Sequence, residues 1–408
     1  MQTSILYVLC AAVISVQAAP ELQFLQIIFA HKPYAPISAV VDNENVSFPA
    51  NLTYEHFDFA PFNMPNEGKL NMYNLGVHLR DVYDGFLGEN FTSRVMKVRT
   101  AEYPLSIMSA QLVNAGLWPP SERDRWNDDL NWQPIPSDYV TAEEDTLLLG
   151  QRCPSFRADM KEVLTSDGMK PVMLHHSPLF NFVSNHSGIE IDNPSEITLL
   201  YAVLETKASL NESLPYWAED IFPDGGMYNV TLLQYDLLSQ TPLQRQLNGG
   251  TLIKEMLTNT IEHIDGRISE ERKLMMYSGN DRNIAGLLKS LDLWSPHIPN
   301  EAAAVIFETY FDNETEHYGI KINYYTGVEG DTIPLTVPNC TEICPLDTFL
   351  DMFFDLIPAN AVSLCHRKKI QTVNLEIEWK TDIYNRSESH KPHNVIFIFL
   401  FVLVLFTY

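Results

Sequence analysis

Near its start the chain reads Leu22-Gln23-Phe24-Leu25-Gln26-Ile27-Ile28-Phe29 and continues as Ala30-His31-Lys32-Pro33-Tyr34-Ala35-Pro36. The first segment is apolar and is stopped by proline, a pattern typical of a buried β-strand. His31 follows that strand, and ligands of open α/β sheets bind beside the carboxyl ends of the strands. His31 is therefore a candidate site residue. Taken alone, the pattern favours a histidine in an ordinary loop, so the rest of the chain has to decide.

Strand and helix patterns alternate in the first part of the chain. After the strand at 22–29, they predict a helix at 68–87, a strand at 95–99 and a helix at 106–115. Such alternation favours an α/β sheet. The Pro119-Pro120 pair then marks a break.

The second half of the chain completes this organisation. From about 121 to about 260 the patterns are mostly helical, and alternation of apolar and polar residues predicts strands at 301–310 and 317–325. The stretch around Tyr277-Ser278 predicts a strand, then a loop, and then a helix over 281–291. The sequence thus predicts a sheet built from both ends of the chain, with a helical insertion between them.

Size and charge narrow the possible functions. The chain has 408 residues, more than the roughly 250–300 at which a single core stops growing, so two lobes are expected. Its net charge of −25 argues against a nucleic-acid partner, which requires a basic footprint. No run of lysine or arginine marks a patch for anionic membranes.

Both ends carry features of the secretory route. Residues 1–19 resemble a signal peptide with a small-residue cleavage site after Ala18 or Ala19. Nine Asn-x-Ser/Thr sequons follow, which together predict a secreted, extracellular or lumenal glycoprotein. They are Asn45, Asn51, Asn90, Asn185, Asn211, Asn229, Asn313, Asn339 and Asn385.

The chain ends in an apolar run over 395–408 without a basic flank. Fourteen residues are short for a spanning helix, which needs about 20. Small and polar residues precede the run, as in a glycosylphosphatidylinositol attachment signal. A short membrane anchor and an uncleaved tail remain alternatives. Residues 386–408 are accordingly predicted to be a removed tail or a membrane tether.

Cysteine usage fits an oxidising compartment. Cys10 leaves with the signal, and the four remaining cysteines allow three pairings. Free buried thiols are the alternative. A metal site is disfavoured because no histidine lies at ligand spacing around Cys340 and Cys344. The adjacent His175 and His176 also lack an evident third ligand, and we expect neither a metal nor a cofactor.

The ordered set of motifs resembles the histidine acid phosphatases, of the venom and lysosomal type. His31 and Pro36 match that family's first signature, Arg-His-Gly-x-Arg-x-Pro. Further matches follow in the family's order over residues 22–367. They are Gly68–Gly76 with Arg80 and Tyr83, Val98-Arg99-Thr100 with Met108-Ser109-Ala110, Trp132–Pro136, Arg152-Cys153-Pro154, Tyr277-Ser278-Gly279-Asn280-Asp281, and Cys340–Pro345.

The resemblance implies an architecture. It is an α/β fold with a mixed central sheet flanked by helices and a mostly helical cap, and the site lies in the crevice between them. The core would comprise residues 20–120 and 261–385, with the cap at 121–260. Cys153 would pair with Cys365, as in the family, and Cys340 with Cys344, which also lie close enough in sequence to close a short loop. A homodimer is a family-level expectation.

The resemblance also implies a mechanism. In the family, a histidine attacks phosphorus and forms a phosphohistidine, which divides one difficult step into two easier ones. His31 occupies this nucleophile position. Asp281 occupies the position of the acid that protonates the leaving alcohol. Aspartate is also a preferred helix N-cap, so capping of the helix that follows is the alternative role for Asp281.

The phosphate-binding positions depart from the family. Ala30 and Tyr34 replace the two arginines that flank the nucleophile, Leu105 replaces a third arginine, and Asn280 replaces a second histidine. Each lost charge-assisted contact is worth about 1.5–3 kcal/mol. Four such losses correspond to a rate loss on the order of 10⁴ to 10⁸.

Three cations lie near these positions in the sequence and are candidates for compensation: Lys32, Arg99 and Arg282. Lysine is a point charge without the forked donors of arginine. The sequence therefore predicts a catalytically impaired relative, a pseudophosphatase, that functions by binding: as an interaction protein, a ligand-sequestering protein or an antigen. Any ligand in the crevice would be a phosphate monoester or another small molecule, and phosphate itself is expected to bind poorly. An active acid phosphatase using His31, and a different hydrolase on the same scaffold, are the alternatives.

Overall fold

The structure, a computed structural model, describes residues 19–32, 64–327 and 330–367, and the backbone of 38–41 and 44–47. The predicted signal peptide (except its last residue), Tyr34, the tail at 386–408 and the sequons Asn51 and Asn385 lie outside the described residues. So does the side chain of Asn45.

A mixed sheet of eight strands forms the centre of the described chain. Ten strands are described, eight of them in this sheet: β1 Glu21–His31, β2 Ser38–Val41, β3 Glu44–Ser47, β4 Met96–Ala101, β5 Asp138–Val140, β6 Leu274–Asn280, β7 Ala304–Asp312, β8 His317–Tyr325, β9 Thr332–Leu335 and β10 Cys344–Pro345. The sheet order is β10-β8-β7-β1-β6-β4-β5, with β9 added to β8, while β2 and β3 form a separate hairpin.

Helices cover the sheet and form a separate group beside it. They are α1 Asn66–Leu87, α2 Pro104–Leu117, α3 Pro154–Thr165, α4 Lys170–Ser187, α5 Pro194–Ser209, α6 Gly226–Leu237, α7 Pro242–Arg245, α8 Thr251–Ile264, α9 Asp281–Ser290, α10 Leu346–Phe353 and α11 Ala361–Cys365. A single π-turn, Gln246–Gly250, joins α7 to α8.

Strand β1 is buried on both faces, which explains its nearly continuous apolar sequence. Ile28 and Ala30 belong to the hydrophobic cluster on one side of the sheet. Leu25, Ile27 and Phe29 belong to the cluster on the other side. Helices α8 and α9 supply the first cluster, and α1 and α2 supply the second.

Both ends of the chain build the sheet, as predicted. Strand β1 pairs in parallel with β6, so that His31 lies opposite Asn280. On its other edge β1 pairs antiparallel with β7. The predicted fold class, a mixed α/β sheet flanked by helices, is confirmed. Strand β1 extends through His31, so this histidine belongs to the strand and the ordinary-loop interpretation is wrong.

The segment between the two halves of the sheet is mostly helical. Helices α4, α5 and α6 share a hydrophobic cluster of their own, which includes Phe180, Leu200 and Val230. We refer to this group as the cap. Two parts of the interval 121–260 belong elsewhere: β5 pairs with β4 in the central sheet, and α8 packs into a cluster of the sheet.

Two disulfides are formed, and both predicted pairings are confirmed. Cys153 pairs with Cys365 across 212 residues of sequence, with the Cα atoms 4.8 Å apart. Cys340 pairs with Cys344, with the Cα atoms 5.3 Å apart. The long-range bridge lies in a small cluster with Phe156, and it ties the segment after the sheet to the start of α3.

The sequon asparagines whose side chains the structure describes are all exposed. They are Asn90, Asn185, Asn211, Asn229, Asn313 and Asn339. Attachment of a glycan at any of them requires no rearrangement of the core.

Helices α1 and α2 approach each other unusually closely at a pair of glycines. A Cβ atom placed on Gly76 would lie 2.1 Å from the carbonyl oxygen of Val113, and one on Gly116 would lie 2.2 Å from that of Tyr73. Both contacts are with backbone atoms, which cannot move aside as the end of a side chain can. The two glycines therefore set the spacing between α1 and α2.

One apolar helical segment near the end of the described chain, Leu346–Cys365, is long and apolar enough to cross a membrane by length and composition alone. Its Phe349 and Phe353 are buried in the cluster that also contains Tyr324 of β8. Packing against the sheet accounts for its apolar character.

Candidate active site

His31 lies at the carboxyl end of β1, with only 2% of its surface exposed. Its Nδ1 atom is 2.7 Å from the carbonyl oxygen of Lys32, and its Nε2 atom is 3.2 Å from Ser106 Oγ. Because a carbonyl oxygen only accepts hydrogen bonds, Nδ1 carries the proton and donates it to Lys32. In the neutral ring, Nε2 therefore has a lone pair available for attack or proton transfer.

The surroundings of His31 favour its neutral form. Burial lowers the pKa of His31 below its ordinary value of 6.5, while the hydrogen bond to Lys32 and the negative charge of Asp281 act in the opposite direction. The ring of Tyr103 stacks on the imidazole, with the ring centroids 5.9 Å apart.

Asp281 lies on the neighbouring strand–helix junction and is 4% exposed. It is the first residue of α9. Its Oδ2 atom accepts a hydrogen bond of 2.5 Å from the hydroxyl of Tyr235 in cap helix α6. Burial and the Asp281 carboxylate raise the pKa of Tyr235 well above its usual range, so this tyrosine stays protonated and remains the donor. The cap thus positions the candidate acid directly.

The N-cap of α9 is Asn280. The alternative role considered for Asp281, capping of this helix, is therefore wrong. The Asn280 side chain accepts hydrogen bonds from the backbone N–H groups of Arg282 and Asn283, at 3.0 and 3.3 Å. The Asn283 side chain in turn accepts from the backbone N–H of Asn280, which completes a capping box. Strand β6 therefore passes into α9 without the predicted loop, and the Asn280 side-chain oxygen is engaged in local structure.

Two of the other phosphate-binding positions hold buried apolar side chains. Ala30 is 0% exposed and belongs to one cluster of the sheet. Leu105 is also 0% exposed and belongs to the opposite cluster. Tyr34 lies outside the described residues. Neither Ala30 nor Leu105 can supply a hydrogen-bond donor to a phosphoryl group from its side chain.

The three candidate compensating cations differ in their surroundings. Lys32 Nζ forms an ion pair of 2.9 Å with Glu205 of cap helix α5. Arg99 Nη2 forms one of 2.8 Å with Asp145, whose side chain is fully buried. Arg282 is exposed, and its Nη1 atom lies 3.4 Å from Gln151 Oε1. Two of the three are thus held by carboxylates, and Arg282 has the loosest contact.

A crevice between the core and the cap opens beside Lys32. Its lining comes from the segment before α1, from α1, from α5 and from the residues before β7. The lining residues are Lys32, Pro65, Glu67, Asn71, Glu205, Thr206, Ser209 and Glu301. With three glutamates and one ion-paired lysine, this lining repels an anion more than it attracts one.

Within the part of the chain that the structure describes, no group of three histidine, cysteine, aspartate or glutamate side chains is arranged to hold a metal ion. His175 and His176 are near each other, with ring centroids 5.0 Å apart. His176 packs on Phe180, so local packing within α4 accounts for its position.

A model of the histidine phosphatase superfamily (branch 2) matches residues 21–324. The chain belongs to this family. The resemblance inferred from the motifs is thereby confirmed.

Relatives of this histidine phosphatase superfamily member are acid phosphatases. The venom acid phosphatase Acph-1 of Apis mellifera is 33% identical over 373 residues, which is 90% of this chain and 94% of that protein. The prostatic acid phosphatase of Rattus norvegicus is 30% identical over 85% of this chain and 90% of that protein. The lysosomal acid phosphatase of the same species is 25% identical over 88% and 83%, respectively.

Solved structures agree at the level of the fold. The Hafnia alvei phytase in complex with myo-inositol hexakis sulphate has a TM-score of 0.64 at 15% identity, covering 86% of this chain and all of that chain. The Citrobacter braakii phytase has a TM-score of 0.59 at 14% identity, covering 85% and 100%.

Sequence reasoning missed three residues of this histidine phosphatase superfamily site. Ser106 contacts His31, Tyr235 contacts Asp281, and Glu205 contacts Lys32. Tyr235 and Glu205 come from cap helices more than 40 residues from their partners, so no local pattern marks them. For Ser106 a signal existed: it begins the predicted helix that follows a strand on the same sheet.

Proposed function

We propose that this protein is a secreted or lumenal, glycosylated acid phosphatase relative whose site binds phosphate monoesters poorly and hydrolyses them slowly, if at all. Its activity would be that of a binding protein for a small ligand in the crevice. The observation that carries the proposal is the absence of cationic donors at the described phosphate-binding positions. Ala30 and Leu105 are buried apolar residues, and Asn280 caps a helix.

The electrostatics of the crevice support the proposal. Phosphoryl transfer requires fixed positive donors around three negatively charged oxygens. Here Glu67, Glu205 and Glu301 line the crevice beside Lys32, and Lys32 is held by Glu205. The lining of this crevice thus carries a net negative charge, the same sign as a phosphate monoester.

Surface and covalent features support a secreted or lumenal compartment. The described sequon asparagines are exposed, and two disulfides are formed. We propose in addition that residues 386–408 tether the protein to a membrane or are replaced by a lipid anchor. Treatment of expressing cells with phosphatidylinositol-specific phospholipase C tests the lipid anchor, since it would release the protein into the medium.

An active acid phosphatase is the second candidate, and one observation favours it. The pair that carries the family's chemistry, His31 and Asp281, is retained on adjacent strand ends, and His31 has its Nδ1 fixed by Lys32. In this case Arg282, the cation with the loosest contact, would bind the phosphoryl group.

Hydrolysis of p-nitrophenyl phosphate by the glycosylated protein at acidic pH separates the two candidates. We expect turnover at least about 10⁴-fold below that of the Apis mellifera venom relative measured in parallel, because several charge-assisted contacts are missing. His31→Ala serves as the background control. A rate comparable to the relative's that His31→Ala abolishes would refute the impaired site, and loss of that rate in Arg282→Ala would identify the compensating cation.

A further inference from the structure

We propose that Ser106 is a positioning residue for His31. In the resting protein the Ser106 hydroxyl donates a hydrogen bond to the Nε2 lone pair of His31 and holds the ring from the side opposite to Lys32. The inference rests on the proposed role of His31 as the residue at the nucleophile position.

Both ring nitrogens have protein partners, and these fix the tautomer. The Nδ1–H group donates to the Lys32 carbonyl at 2.7 Å. The neutral Nε2 atom can then only accept, and the Ser106 hydroxyl at 3.2 Å is the group that donates to it. The imidazole is thus held at both of its polar ends.

Ser106 has a second acceptor within reach, which lets it serve both protonation states of the ring. Its hydroxyl oxygen is 3.4 Å from the carbonyl oxygen of Gly279 in β6. When His31 is protonated, Nε2–H donates to Ser106 Oγ, and the hydroxyl proton turns towards Gly279. Nε2 and the Ser106 hydroxyl thus have a partner in either state, which avoids a penalty of about 1–3 kcal/mol for an unsatisfied buried polar group.

The position of Ser106 is itself fixed by the sheet. It lies in the first turn of α2 and is 1% exposed. Its backbone carbonyl accepts a hydrogen bond of 2.7 Å from Ser278 Oγ in β6. Because Ser278 is a fully buried strand residue, the backbone of Ser106 is held in place, and only its hydroxyl can turn.

Occupation of Nε2 has a consequence for chemistry. With Nδ1 bound to Lys32, Nε2 is the nitrogen that remains for attack on phosphorus. An incoming phosphoryl group has to displace the Ser106 hydroxyl towards Gly279 before its phosphorus atom can approach Nε2. The charged and titratable groups that act on or pack against the ring from neighbouring segments are Asp281 and Tyr103, and neither replaces this hydroxyl at Nε2.

The test uses the full protein, with ¹⁵N-labelled histidine, and reads the imidazole by NMR. In the wild type, we expect the proton on Nδ1 and a hydrogen-bonded signal from Nε2. In Ser106→Ala we expect the proton still on Nδ1, the Nε2 signal shifted downfield, and the His31 pKa lowered further than in the wild type. The reason is that the Ser106 hydroxyl forms a stronger hydrogen bond with the charged ring than with the neutral ring, so its removal disfavours the charged form more. Ser106→Thr keeps the hydroxyl and should restore both readouts.

Ser109→Ala is the matched control, since Ser109 is a fully buried serine one turn further along α2 and bonds the Leu105 carbonyl instead of His31. Equal spectra for Ser106→Ala and Ser109→Ala would overturn the proposal. So would an Nε2–H tautomer in the wild type, a result that does not require any variant to fold. None of these readouts uses phosphatase activity, so an active wild type would refute the proposed function and leave this assignment standing.

Discussion

At the scale of single residues, the site keeps a histidine and an aspartate and loses the charges around them. Ala30 and Leu105 are not merely uncharged but form part of opposite hydrophobic clusters. Asn280 is committed to the start of α9. The residues at the donor positions thus have structural roles of their own. A single substitution back to the family residue would therefore disturb local packing or helix capping as well as add a donor.

Restoring the family residues together should restore catalysis. The variant carries Ala30→Arg, Lys32→Gly, Tyr34→Arg, Leu105→Arg and Asn280→His. We expect p-nitrophenyl phosphate turnover to rise by about two orders of magnitude or more, since each regained charge-assisted contact contributes about 1.5–3 kcal/mol. Circular dichroism checks that the variant is folded. Adding His31→Ala to it should remove the gained activity, and an unchanged rate in the folded variant would show that His31 and Asp281 are misplaced.

The buried His31 also predicts how stability depends on pH. Its folded-state pKa is lowered by burial from 6.5, so the unfolded chain binds a proton at a higher pH than the folded protein does. The contribution of His31 to the free energy of unfolding is therefore fully present above about pH 6.5. It is lost as the pH falls through the lower pKa of His31 in the folded protein. Urea unfolding should show that the free energy of unfolding changes less between pH 7.5 and pH 5.0 in His31→Gln than in the wild type.

The exposed His366 provides the control for this measurement. His366→Gln should retain the wild-type difference between the two pH values. A His31→Gln variant with an undiminished difference would mean that other histidines whose pKa is lowered, such as the half-buried His263, account for the effect.

At the scale of elements, the strands and helices of the core were largely predictable, because apolar runs and helical periodicity dominate them. One departure is the junction of β6 and α9. Ser278, Gly279 and Asn280 have the composition of a turn, yet Phe29, Ala30 and His31 hold them in the parallel ladder. Pairing with a distant strand outweighs local preference there, and no pattern within the segment reveals it.

The close approach of α1 and α2 gives the sharpest stability prediction. Gly76→Ala should destabilise the protein by about 1–3 kcal/mol or more, because the new methyl group meets the Val113 carbonyl oxygen at 2.1 Å. A methyl group added to Gly85 of the same helix would meet no neighbouring atom within 4 Å. Gly85→Ala should stabilise by about 0.5–1 kcal/mol through helix propensity. Thermal unfolding of the two variants measures the contrast, and equal effects would show that the helices can separate without cost.

At the scale of the whole molecule, the arrangement of cap and core could be inferred only in outline. The motifs implied a crevice between the two but not the side chains that join them, among them Tyr235 with Asp281 and Glu205 with Lys32. These contacts connect segments far apart in sequence. Helical periodicity within the cap predicts its helices and does not specify which of their side chains reach the sheet.

The two disulfides should differ in their effect on global stability. Cys153 and Cys365 are 212 residues apart in the sequence, whereas Cys340 and Cys344 are four residues apart. Chain-entropy arguments assign about 5 kcal/mol to a loop of the first size and about 2 kcal/mol to the second. The double variant Cys153→Ser/Cys365→Ser should therefore unfold at a lower temperature than Cys340→Ser/Cys344→Ser. The reverse order in calorimetry would mean that the short loop stabilises the native state locally.

The position of β1 in the sheet has a further consequence, for the order of events during biosynthesis. Both hydrogen-bonding neighbours of this first strand, β6 and β7, lie in residues 274–312. At roughly 5–20 residues per second, the ribosome needs on the order of 10–50 s to deliver them after β1 has emerged. Throughout that interval one of the most apolar segments of the chain has two open edges, a state prone to aggregation. A nascent chain arrested before residue 274 should therefore depend on chaperones in a way that one arrested after residue 325 does not.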